Sequence, residues 1–130
     1  MKKSNLVDEW IEKAEGDYLA AIYLRAKRRI NQNYIIAFHC QQCLEKYLKA
    51  LLTFYRIAFP KLHDLEALVE LLTKKDPLLK AIKGPLGEIT PYAVDSRYPG
   101  DEVTTQEVSF AMKTMKQIRP ILRKRLGLKP

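Results

Sequence analysis

Apolar residues along this chain recur every three to four positions and almost never on alternate ones. Leu6, Trp10, Ala14, Ala21 and Leu24 keep that spacing through the first segment, the period that gathers side chains on one stripe of an α-helix. Ser4 or Asn5 is placed to cap it and the basic run Arg25-Ala26-Lys27-Arg28-Arg29 closes it, so a first helix is predicted to about Arg29. Ile30-Asn31-Gln32-Asn33 reads as a short polar connection. From Tyr34 a second helix carries Ile36, Cys40, Cys43, Leu44, Tyr47, Leu48 and Leu51 on one face, and it should stop near Arg56, ahead of Pro60. His63-Asp64 opens a third helix with Leu65, Leu68, Val69 and Leu72 inward. Asp76-Pro77 offers a cap and first-turn proline for a short following segment, which Gly84-Pro85 should interrupt. Tyr98-Pro99-Gly100 suits a turn. Thr104 with Glu107 three residues later makes a capping box for a last helix ending at Gly127.

No segment alternates with period two, and the β-branched residues are scattered, so no strand is expected. Four main amphipathic helices with short connections predict an all-α, up-down antiparallel four-helix bundle with an extra short helix. No repeat or Gly/Ser linker divides the sequence, and its 130 residues read as a single domain over 1–130.

Composition sharpens this in two respects. Apolar runs are short, the longest near Ala50-Leu51-Leu52, and charges break every window of the ~20 residues that a membrane span needs. Met1-Lys2-Lys3 is basic, but Ser4-Asn5-Leu6-Val7-Asp8-Glu9 after it lacks an apolar signal core, so a cytoplasmic address is expected. Charge is the second respect: 23 Lys and Arg against 15 Asp and Glu leave a net charge of +8. Such a surplus favours an anionic partner such as nucleic acid or a nucleotide, although it also serves solubility alone.

The second helix is richest in candidate chemistry. His39, Gln42, Lys46 and Lys49 fall along one stripe with Glu45 at its edge. Directed away from the core, this row offers point charges and hydrogen-bond donors to phosphate oxygens. The same spacing fits a solvated helix face with local Glu45 to Lys49 pairing. In the first helix Asp17 falls within the apolar stripe, so its carboxylate wants a Lys, Arg or Tyr from a neighbouring helix, or a role in a site. Cys40 and Cys43 face the apolar side, which suits reduced thiols packed in a core. With two Cys and two His in the whole chain no zinc site is expected, and no metal or cofactor is assigned. Gly-rich phosphate loops, a Gly-x-Ser-x-Gly elbow and His-Glu-x-x-His are absent, so His39 and His63 are the side chains suited to proton transfer near neutrality.

Several stretches together resemble a known family. Gln41-Gln42-Cys43-Leu44-Glu45-Lys46-Tyr47-Leu48-Lys49-Ala50, then Leu62-His63-Asp64-Leu65, then Ser96-Arg97-Tyr98-Pro99, with Trp10, Ala14, Asp17 and Ala21 ahead of them, are similar in order and spacing to HEPN domains. The resemblance covers almost the whole chain. It implies a helical bundle that commonly forms a homodimer and is often encoded beside a minimal nucleotidyltransferase in a toxin and antitoxin pair. It also implies binding of a nucleotide or RNA. On this chain the family's polar positions fall on Gln42, Lys46, Lys49, His63, Asp64, Arg97 and Tyr98, besides Asp17, and His39 joins them from the stripe.

Some members are metal-independent ribonucleases that use Arg, four to six residues, then His across a dimer cleft. Arg56 and His63 match that spacing nominally, but Pro60 lies between them and no histidine occurs downstream of Arg97. A binding or adaptor module, not an enzyme, is therefore the leading expectation. An endoribonuclease toxin using Arg56 and His63 and a purely structural dimerising scaffold are its alternatives.

Overall fold

In a computed structural model that describes residues 5–93, 99, 100 and 102–130, helices take up the stretches whose apolar spacing predicts them, and no strand occurs among the described residues. They are α1 (Asn5–Lys27), α2 (Asn33–Phe54), α3 (Leu65–Thr73), α4 (Lys83–Ile89) and α5 (Thr105–Arg125). Short 3₁₀ turns at Ile30–Gln32, Pro77–Ile82 and Thr90–Ala93 join them. None of the helices among the described residues is long and apolar enough to cross a membrane.

The second helix is the axis of the molecule. It packs against α1, α3 and α5, and 14 of its 22 residues are buried, more than one amphipathic face could supply. Leu44, Tyr47, Leu48 and Leu51 meet Leu68, Leu72, Leu86, Val108, Met115 and Leu122 in one continuous core. Cys40 and Cys43 are buried in it as free thiols, and the Cys40 sulfur lies 3.5 Å from that of Met112.

Helix ends show where local chemistry decides. Asp64 caps α3 by accepting from the backbone N–H groups of Glu66 and Ala67. Thr104 and Glu107 complete their reciprocal box at 3.0 Å in both directions. At the far end of α5, Gly127 takes φ +79° while Leu128 N–H donates to the Arg123 carbonyl and Gly127 N–H to that of Lys124, the Schellman pattern that glycine favours.

Other ends depart from expectation. The first helix stops at Lys27 because Arg28 enters the left-handed region at φ 53°. The second stops at Phe54 through a Schellman turn in which Arg56, at φ 59°, holds the place usually taken by glycine, with Ile57 N–H bonded to the Leu52 carbonyl. Asp76 makes no side-chain cap; its carboxylate pairs with Arg125. Gly84-Pro85 does not interrupt, since α4 runs through it with Pro85 in the first turn, where a missing N–H forfeits no helical bond.

Candidate functional site

Polar residues of α2 that sequence spacing places on an outward stripe meet partners on α1 and on the loop before α3. Asp17, buried on α1, lies with one carboxylate oxygen 2.7 Å from His39 Nδ1 and the other 2.6 Å from Lys46 Nζ. The acid's requirement for a neighbouring cation is thus met across the α1/α2 contact. On the same helix, Glu45 is 3% exposed and gathers four donors. They are Gln41 Nε2 at 3.0 Å, Gln42 Nε2 at 3.3 Å, Lys49 Nζ at 3.0 Å and the Nδ1 of His63 at 2.9 Å. Gln41 also donates to the backbone carbonyl of His63, and its own side-chain carbonyl accepts from Gln42 at 2.7 Å. A buried carboxylate held this fully is satisfied where an unpaired one would be costly.

This geometry corrects the expected exposure of the stripe. Lys49 is 7% exposed, its ammonium on Glu45 and 5.6 Å from the centre of the Trp10 ring. Lys46 and His39 keep about a quarter of their side-chain surface open, 23% and 25%, but both are engaged by Asp17. Two carboxylates against two ammoniums leave the centre balanced before its imidazoles are counted, so its cations are not free to hold an added anion. The physical reason is that α2 has neighbours on three sides. Helical periodicity identifies a polar face without saying what covers it.

Among the other candidates, His63 has 58% of its side chain exposed while Glu45 orients its ring. Asp64 serves as the cap of α3. Arg56 is exposed, and its guanidinium forms no hydrogen bond or ion pair with His63. Arg97 and Tyr98 lie outside the described residues.

A second polar cluster is marked in the helical spacing by Tyr47 alone. Glu15 accepts from Nε and Nη2 of Arg119, at 2.7 and 2.5 Å, and from the Tyr47 hydroxyl, and Arg123 donates to that hydroxyl at 2.8 Å. Burial alone would raise the Glu15 carboxyl, but the hydrogen bonds from Arg119 and Tyr47 and the charges of Arg119 and Arg123 outweigh it and hold the group below its ordinary range. Burial, with the Glu15 carboxylate alongside, pushes the Tyr47 phenol up. Tyr47 on the apolar face is the signal that could have revealed the cluster, because a buried tyrosine hydroxyl needs a partner.

Thiol chemistry is suppressed. Burial pushes Cys40 up to about 12 and raises Cys43 well above the usual thiol range, so neither is a ready nucleophile. No group of three metal-ligating side chains is present among the described residues.

Comparison with known proteins fits this architecture. A solved structure described as that of an archaeal HEPN homologue superposes with a TM-score of 0.72 at 24% identity, covering 97% of this chain and 99% of the other. No curated protein matches the sequence. The family model for the HEPN domain matches residues 7–125, a span that takes in all or nearly all of each of the five helices; the chain belongs to the HEPN family.

Proposed function

We propose that the protein is a HEPN binding module for RNA or nucleotide phosphates that works as an adaptor beside a partner protein, the expected partner being a minimal nucleotidyltransferase in a toxin and antitoxin pair. The observation that carries this reading is the distribution of charge. The polar centre around Asp17 and Glu45 is balanced, so it takes up none of the chain's net charge of +8, and the surplus is left for a polyanion to meet elsewhere. Leu19 and Tyr23, one turn apart on α1 and 62% and 63% exposed, support self-association as a homodimer.

Titration with a labelled RNA and with a nucleoside triphosphate, at low and at physiological salt, tests the reading. Binding to at least one that weakens steeply with salt is expected, because released counterions set that slope. No binding to either at low salt would retire it.

A second reading draws support from His63. An imidazole more than half exposed and oriented through Nδ1 by a buried carboxylate is arranged as proton-transfer histidines are. With Arg56 as the cation, it makes the protein a metal-independent endoribonuclease. Loss of RNA cleavage in His63→Ala is expected on that reading, and unchanged cleavage excludes it.

A further inference from the structure

The balanced centre directs attention to where cations stand without carboxylate partners. Among the described residues, six Lys and Arg side chains are tied to carboxylates by direct ion pairs: Lys46 and Lys49 of α2, Lys83 of α4, and Arg119, Arg123 and Arg125 in the last two turns of α5. A different arrangement holds at the opposite end of the bundle. There Arg25, Arg28 and Arg29, at and just beyond the end of α1, converge with Lys116 of α5 around a recess of about 700 Å³. A second recess of about 410 Å³ continues it past Lys113, and the two share Arg25, Met112 and Lys116. None of these five cations forms an ion pair among the described residues, and no Asp or Glu is among the described residues that line either recess.

Local structure accounts for only part of this clustering. Arg25 suits the last turn of α1 because cations favour the negative end of a helix dipole. Lys113 and Lys116 lie in the middle of another helix, and that explanation does not reach them. Nor does it reach Arg29, which lies beyond the helix, after a residue in the left-handed region. Like charges brought together from two elements repel, so the arrangement is one that an incoming anion relieves.

We infer that this trough is a binding site for the phosphodiester backbone of RNA. The inference rests on the proposed RNA or nucleotide reading and locates its ligand away from the α2 polar centre. Guanidinium forks and ammonium point charges are the groups that hold phosphate oxygens. Together the two recesses follow α5 from Thr105 to Gln117, roughly 18 Å at the ~1.5 Å rise of a helix. That length accommodates several successive phosphates, whereas a single nucleotide would fill one recess. The floor is aliphatic, with Ile22, Ala26, Ile36 and Met112, and no aromatic ring is among the described lining residues to stack on a base. Contact is therefore with the backbone, independent of base sequence.

The test uses the full chain, a short fluorescein-labelled single-stranded RNA and fluorescence anisotropy across a salt series. With roughly three to five phosphate contacts at ~0.7 per contact, log affinity against log salt should slope between about −2 and −3.5. Arg29→Glu with Lys116→Glu reverses one exposed charge from each element and should weaken binding by about 100-fold, flattening the slope by about 1.4. Lys80→Glu with Lys129→Glu lowers the net charge equally, from +8 to +4, away from the trough, and should retain most of the affinity. Circular dichroism checks that both variants fold. Equal losses in the two variants, or RNA binding untouched by the trough variant, would overturn the site while leaving the proposed function standing. Binding of a nucleoside triphosphate but not of RNA would overturn the backbone assignment alone. A wild-type protein that binds neither would bring down both.

Discussion

Asp17 is held by two donors from a single neighbouring helix, His39 and Lys46. Removing its charge leaves a part-buried ammonium without a counter-ion. Breaking a fully buried pair costs about 3–5 kcal/mol, and the open quarter of Lys46 lowers that, so Asp17→Asn should destabilise the fold by about 2 kcal/mol. Urea unfolding checks this, and combining it with Lys46→Gln should recover about 1 kcal/mol as coupling between the two positions. At this scale the chain is legible up to a point. Asp17 on an apolar stripe announces that a partner is needed, and Tyr47 on its own stripe does the same. The identity of those partners depends on a helix crossing that no periodicity encodes. Lys49 shows the same limit: its spacing fits a solvated face, and only packing against Trp10 and Glu45 encloses it.

Whole helices are legible in the chain because their boundaries use side-chain chemistry with fixed offsets. Asp64, the Thr104 and Glu107 pair and Gly127 each act where spacing places them. Less legible are ends built by backbone alone, since an arginine at positive φ, as at Arg28 and Arg56, carries no compositional mark. Within α1, Gly16 lies on the exposed side, and a methyl group added there meets nothing within 4 Å. Gly16→Ala should therefore raise stability by about 0.5–1 kcal/mol, measured as an upward shift in Tm. The same variant probes self-association. Gly16 is one turn from Leu19 and two from Tyr23, so if that face is covered by a second copy in solution, the gain should shrink as protein concentration rises.

At the scale of the molecule, acid should act through the link between α1 and α5. The folded protein holds the Glu15 carboxyl below its ordinary 4.5. Its contribution is complete above that value and drains away as pH falls through the lower, folded value, because the unfolded chain then binds the proton more readily. Glu15→Gln should leave stability less dependent on pH over roughly pH 5 to 2, read from urea midpoints along a pH series. Charge elsewhere is arranged in three ways that sequence alone can count but not sort: cations neutralised inside, cations paired along the end of α5, and cations left open by the end of α1. Because α2 is clasped on three sides, it has no side from which it can peel, and its amides from Cys40 to Leu52 can open to solvent only when the surrounding helices separate as well. Deuterium should consequently enter those positions last, at a rate set by global unfolding, which makes this rod the timekeeper of the entire domain.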